Sequence, residues 1–222
     1  MAPQKKETKA QNKGPQGLIK AYLMAYNQIS FLGWSWILVL AIKELVENDF
    51  NYTGVFNAVW KYLPAVQTAA ALEIIHAALG WVRSSVATTF TQVLSRVFLV
   101  WGVNFLFPEI HTHWSFTTMV VSWCIAECVR YAYYFFNLAG GVPSIVNWLR
   151  YTLFFVLYPT GAGSEVLMMY VSLPYAKAWN EYYYYLLIVL MLVYIPGLPI
   201  MYGHMIGQRK KYLKAQKEKK TQ

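Results

Sequence analysis

The chain has 222 residues, of which 57% are hydrophobic and 13% charged, and it carries a formal net charge of +9. Its apolar residues come in long runs separated by short polar breaks, which excludes an ordinary soluble domain and points to the membrane class. The positive charge lies at the ends: residues 1–20 hold five Lys and one Glu, residues 207–222 hold seven Lys or Arg and one Glu, and the chain between them is near-neutral at −1. Basic ends beside hydrophobic spans follow from the positive-inside rule and from anionic lipid, so membrane lipid is the expected partner and nucleic acid is not.

A helix needs about 20 apolar residues to cross the hydrocarbon core. Six stretches qualify, at roughly residues 22–42, 62–82, 90–107, 114–136, 148–171 and 182–205, and they predict an all-α, polytopic membrane helix bundle. The first 17 residues are polar and lack an apolar segment followed by a small-residue cleavage site, so no removable signal peptide is expected and the first span serves for insertion. The organisation reads as a basic tail (1–20), a six-helix membrane domain (21–206) and a second basic tail (207–222). An even number of spans puts both tails on one side, which the positive-inside rule makes the cytosol. Pro108, Gly140, Gly141 and Pro143 mark turns between antiparallel spans. Trp34, Trp36, Trp60, Trp81, Trp114, Trp148 and Trp179, with the run from Tyr182 to Tyr185, read as interfacial anchors. No internal repeat or separate soluble domain is evident. Lys219 and Lys220, the fourth and third residues from the end, resemble a dilysine retrieval signal of endoplasmic reticulum membrane proteins.

Ionisable residues inside a bilayer are functional candidates by default, because insertion of a central acidic side chain costs about 2.5–3.5 kcal/mol. Glu73 and His76 stand one turn apart on the second span; this Glu-x-x-His spacing serves carboxylate-bridged metal pairs only when present twice, and here it occurs once. With four scattered histidines the chain has no metal site in prospect. Arg96 lies in the third span, and Glu127 and Arg130 in the fourth, where i,i+3 spacing lets them neutralise each other. These five groups either fix the packing of the bundle or line a polar cavity that orients a substrate. Cys124 to Arg130 matches the Cys-x5-Arg spacing of tyrosine phosphatases, but within a helix its amides are already bonded and Glu127 would repel a phosphate, so no phosphatase chemistry is expected.

The fifth span holds Tyr158 and Glu165. Seven residues are nearly two helical turns, so the two side chains share a face with α-carbons about 10.5 Å apart, able to flank a substrate. Pro159, Gly161 and Gly163 predict a kink there that narrows the gap. At neutral pH an unperturbed tyrosine offers a proton and an unperturbed glutamate accepts one. Loss of water from a 3-hydroxyacyl thioester needs such a pair: a base for the proton alpha to the thioester and an acid for the departing hydroxyl. Glu165 is assigned as base and Tyr158 as acid, although burial of the carboxyl would reverse the roles.

The segments 67–76 (Gln-Thr-Ala-Ala-Ala-Leu-Glu-Ile-Ile-His), 82–86 (Val-Arg-Ser-Ser-Val), 92–96 (Gln-Val-Leu-Ser-Arg), 127–131 (Glu-Cys-Val-Arg-Tyr) and above all 148–165, with Trp148, Arg150, Tyr158, Pro159, Thr160, Gly161 and Glu165, resemble a known family. It is that of the 3-hydroxyacyl-CoA dehydratases of very-long-chain fatty acid elongation, also called protein tyrosine phosphatase-like membrane proteins. The resemblance implies a six-span endoplasmic reticulum enzyme that converts (3R)-3-hydroxyacyl-CoA to trans-2-enoyl-CoA without a cofactor, with Tyr158 and Glu165 as its catalytic pair. It further implies work beside a condensing enzyme and two reductases. Arg83, Arg150, Arg209 and Lys210 are then candidate contacts for CoA phosphates, and Glu73, His76, Arg96, Glu127, Arg130 and Gly161 candidate supports of the site. The rival reading is a non-enzymatic membrane scaffold or phosphoprotein-binding adaptor whose buried polar groups are structural.

Overall fold

A computed structural model describes residues 15–220; the tail up to residue 14 and Thr221 and Gln222 of the dilysine-like end lie outside the described residues. Helices occupy each of the six expected stretches, and no strand occurs among the described residues. They are α1 (Gly17–Glu47), α2 (Val55–Val59) after a 3-10 turn, α3 (Leu63–Ala69), α4 (Leu72–Ala78), α5 (Val86–Phe98), α6 (Trp114–Ala139), α7 (Ser144–Arg150), α8 (Phe154–Trp179) and α9 (Glu181–Lys220). Among the described residues α1, α5 with the π-helical turn that prolongs it to Asn104, and α9 are each long and apolar enough to cross a membrane, as are α7 and α8 taken together. The protein is therefore an all-α membrane protein.

The central element is α6, packed between α1 and α8, with α9 on the far side of α8. Phe116, Met119, Val120, Trp123, Cys124, Glu127 and Tyr131 of α6 are all buried. Their spacing of three and four residues makes one stripe along the helix, the pattern of a helix turned to a core. Lipid tails are as apolar as leucine, so burial alone does not hold such helices together; close packing and interhelical hydrogen bonds do, at about 0.6 kcal/mol per bond. The seam between α6 and α8 has that character. The Thr118 and Ser164 hydroxyls bond at 2.6 Å, and the Ser122 hydroxyl donates at 2.9 Å to Thr160, whose own hydroxyl donates at 2.8 Å to the Val156 carbonyl. Gly140, with φ of 108°, ends α6 in the left-handed region that glycine adopts at little cost.

Three local features depart from the expected helices. The second stretch is broken: Ala70, Ala71, Glu73 and Ile74 bond three residues back instead of four, which tightens the chain between α3 and α4. The Glu73 amide thus bonds Ala70 and leaves the Ala69 carbonyl to accept from the Tyr26 hydroxyl at 3.4 Å. The fifth span is bent ahead of Pro159 and the glycines. Trp148 and Arg150 belong to α7, a 45° bend falls at residues 151–153, and α8 runs unbroken through Pro159, Gly161 and Gly163. Pro159 stands early in α8, where its missing N–H forfeits a single bond to the Phe155 carbonyl. Finally, α9 continues well past residue 205, through the basic segment to Lys220, because Gln, Lys, Arg and Ala are good helix formers. Its forty residues span about 60 Å, twice the hydrocarbon thickness.

Trp34 is also not the interfacial anchor expected of it: at 1% exposure in the middle of α1 it is part of the core. The far end of the bundle is closed by His111. Its ring stacks on Phe56, and its Nε2–H donates at 2.6 Å to the carbonyl of Asn104, the last residue of the π-helical turn. Burial lowers the pKa of this imidazole, which lies in the connection between α5 and α6.

Candidate active site

Two linked polar clusters lie between the helices. In the first, Arg130 from α6 reaches across to α4. Its Nη1 and Nη2 bond the two oxygens of Glu73 at 2.5 and 2.9 Å, and its Nε donates to Glu127 Oε2 at 2.7 Å. Arg96 of α5 pairs with the other oxygen of Glu127. The hydroxyls of Tyr131 and Tyr26 donate to Glu73 Oε1 at 2.5 and 3.3 Å. Two guanidinium and two carboxylate groups thus form a chain without net charge, the condition under which buried ions are tolerated. The break between α3 and α4 belongs to this cluster, since it sets Glu73 toward Arg130 and Ala69 toward Tyr26.

The Glu-x-x-His spacing does not bring its two members to one point. Glu73 is engaged by Arg130, whereas His76 Nε2 meets the Tyr22 hydroxyl at 3.0 Å, its ring lying edge-on to Tyr26. Nor does the Cys-x5-Arg match make a phosphate cradle. Cys124 is fully buried, and Arg130 is committed to two carboxylates.

The second cluster centres on Glu165 of α8. Eleven residues after the start of α8, it lies about 16 Å along that helix. It is 8% exposed. Trp123 Nε1 of α6 donates to Oε1 at 2.8 Å, and the Tyr194 hydroxyl of α9 donates to Oε2 at 2.7 Å. Each carboxylate oxygen offers about two lone-pair sites, so one on each remains for a substrate proton. Arg96 joins the clusters, since its guanidinium pairs with Glu127 and lies 5.4 Å from the Trp123 ring.

Tyr158 is half-buried two turns away, its ring against Tyr202 of α9 with centroids 6.0 Å apart. It is not among the groups hydrogen-bonded to Glu165. Gly161 of α8 faces α6: a Cβ there would stand 3.5 Å from Ser122 Cβ and 3.9 Å from Trp123 Cδ1. Those are ordinary contact distances. Gly161→Ala is therefore expected to keep folded yield and turnover within about twofold of wild type, whereas Gly161→Leu, which overfills the seam, loses about 1–3 kcal/mol of stability and most turnover. Equal activity of the two variants would deny that the seam sets the site.

Of the four CoA-phosphate candidates, two meet at one corner. The Arg150 guanidinium lies 4.1 Å from the Tyr133 ring and that of Arg209 5.2 Å from the Phe155 ring, and Tyr151 stacks on Tyr212. Arg209 Nε is buried without a hydrogen-bond partner. Lys210 is exposed beside it, and Arg83 is exposed in the connection after α4. Tyr22 and Tyr26 near the start of α1 meet α4 and the late part of α6, so all four residues stand at the end of the bundle where α1 starts and α9 finishes.

The sequence reading did not single out Trp123, Tyr194, Tyr26 or Tyr131. One signal was available: Trp123, Glu127 and Tyr131 recur at four-residue steps along one face of α6. Tyr194 had none, being one phenol in an apolar helix far along the chain.

Fold and site together define a multi-helix membrane protein that holds a buried carboxylate, with both oxygens engaged, between its helices. A family model described as "Protein tyrosine phosphatase-like protein, PTPLA" matches residues 67–215, and the chain belongs to this family. It is 42% identical over 212 residues to the very-long-chain (3R)-3-hydroxyacyl-CoA dehydratase PASTICCINO 2 of Arabidopsis thaliana, covering 89% of this chain and 95% of that protein. It is 39% identical over 216 residues to the very-long-chain (3R)-3-hydroxyacyl-CoA dehydratase 2 of Homo sapiens, covering 91% and 85%. With the probable very-long-chain (3R)-3-hydroxyacyl-CoA dehydratase of Schizosaccharomyces pombe it shares 41% over 203 residues, covering 90% and 96%. No solved structure matches the chain.

Proposed function

We propose that this protein dehydrates long-chain (3R)-3-hydroxyacyl-CoA to trans-2-enoyl-CoA. The observation that carries the reading is the buried, doubly bonded Glu165 on the same face of α8 as Tyr158, in a chain similar along nearly its whole length to proteins named as dehydratases of this substrate. Glu165 takes the proton from C2, the C–H electron pair becomes the C2–C3 π bond, and the C3–O bond breaks. Tyr158 protonates the departing oxygen, which leaves as water. The proton held by Glu165 then returns to the Tyr158 phenolate, so the cycle closes with no oxidant, reductant or metal. The thioester lies near the α6–α8–α9 seam with the acyl chain among the helices. Arg150, Arg209, Lys210 and Arg83 hold the CoA phosphates at the end of the bundle that carries the basic segment.

Six spans with both ends cytosolic, and residence in the endoplasmic reticulum beside a condensing enzyme and two reductases of the elongation cycle, complete the proposal. The basic segments beside the first and last apolar helices support it. Purified full-length protein in lipid vesicles is expected to form the trans-2-enoyl thioester from a long-chain (3R)-3-hydroxyacyl-CoA, followed by mass spectrometry. A folded sample inactive across several chain lengths, alone and with the elongation enzymes added, would favour the scaffold reading.

A further inference from the structure

The two donors to Glu165 come from two different helices, and neither is used by the acid–base scheme above. Trp123 Nε1 donates to Oε1 from α6, and the Tyr194 hydroxyl donates to Oε2 from α9. A carboxylate with a single anchor can swing about its terminal torsion, which is broad for glutamate; one held at both oxygens by donors from two helices is restrained against it. The Trp123 indole is itself fixed. Its ring is 1% exposed, it carries the Arg96 guanidinium on one face, and Gly161 lies against its edge. Tyr194 comes from α9, the helix that also supplies Tyr202 to the Tyr158 ring.

We infer that Trp123 and Tyr194 are positioning residues that clamp the Glu165 carboxylate in the orientation needed to take the C2 proton. The inference rests on the reading of Glu165 as the base. It explains why α9, little buried over its apolar length, is nevertheless needed at the site: it contributes the Tyr194 hydroxyl. Near-attack geometry is sensitive on the scale of 1 Å, at which rate losses reach about a hundredfold. A swinging carboxylate therefore lowers the rate of proton removal while leaving acyl-CoA binding, made elsewhere, intact.

The test compares wild type, Tyr194→Phe, Trp123→Phe, Glu165→Gln and Tyr183→Phe as purified full-length proteins in lipid vesicles, with a long-chain (3R)-3-hydroxyacyl-CoA carrying hydrogen or deuterium at C2. Tyr183 serves as the structural control, since it sits on the same helix but donates to the Gly102 carbonyl at 2.6 Å, away from the site. Expected for Tyr194→Phe and Trp123→Phe is a kcat about 10- to 100-fold below wild type per folded molecule, an unchanged KM and a deuterium isotope effect at least as large as that of wild type. Tyr183→Phe is expected to keep wild-type kcat per folded molecule. Wild-type kcat in the Tyr194 and Trp123 variants, beside an inactive Glu165→Gln, would overturn the clamp and leave the base assignment standing. So would losses that merely follow the folded fraction. Retained activity in Glu165→Gln would overturn the base assignment and the clamp with it.

Discussion

Tyr158→Phe and Glu165→Gln are each expected to lower kcat by about 10²–10⁴-fold, the range over which a positioned acid or base contributes. Neither change removes much of the fold. Phenylalanine keeps the ring of residue 158 against Tyr202, and the hydroxyl it loses is not bonded to Glu165. Glutamine keeps the shape of residue 165, and its carbonyl oxygen can still accept from Trp123 while its amide meets the Tyr194 oxygen. The measurement is initial-rate formation of the enoyl product in vesicles, normalised to folded protein. A scaffold whose buried polar groups serve packing alone would be indifferent to both substitutions, so near-wild-type turnover in either one removes that residue from the mechanism.

The second large effect is on stability. Arg130→Met is expected to cost about 3–5 kcal/mol, because it leaves Glu73 and Glu127 facing each other without the cation that bonds both. Arg130→Lys should recover only part of this: an ammonium is a point charge and cannot reproduce the paired bonds to Glu73 together with the Nε bond to Glu127. Thermal unfolding in detergent reads the difference. A midpoint for Arg130→Met within a degree or two of wild type would mean that the charge network holds nothing together. The pattern separates the two clusters, since changes at Glu165 and Tyr158 reduce rate at constant fold, while changes at Arg130 reduce the fold itself.

The rank order of these effects reflects depth and connectivity. Arg130 bonds groups on α4 and on α6 itself, Tyr26 of α1 bonds the same Glu73 and Arg96 of α5 pairs with Glu127, so four helices share one cluster. Glu165 is tied to α6 and α9 by neutral donors, and one such bond contributes little to membrane-protein stability, about 0.6 kcal/mol on average. A catalytic group can therefore be altered at small structural cost, which is the condition that makes the kinetic test clean.

Much of this was legible along the chain. Long uninterrupted apolar runs dictate helices, because within a bilayer only a helix satisfies its backbone groups inside one segment, whereas the strands of a closed barrel alternate apolar with polar residues. The Tyr158–Glu165 spacing was visible for the same reason: two residues seven apart share a face of any regular helix, whatever surrounds them. Glu127 and Arg130 are within reach of each other on one helix, so their pairing too follows from local geometry. What the chain did not disclose are contacts between residues far apart in sequence. Arg130 meets Glu73 fifty-seven residues away, Trp123 meets Glu165 forty-two away, and Tyr194 meets Glu165 twenty-nine away. Those pairings depend on which helices pack together and in what register, and helical periodicity is blind to both. The bend before α8 and the break before α4 were hidden likewise. Proline and glycine announce where a helix can bend, but not that the chain also turns by 45° at residues 151–153, between α7 and α8. The amino-acid sequence alone therefore determined the helical membrane class and the candidate acid and base. Tertiary structure alone decided which groups hold the carboxylate in place, because only there do α6, α8 and α9 converge.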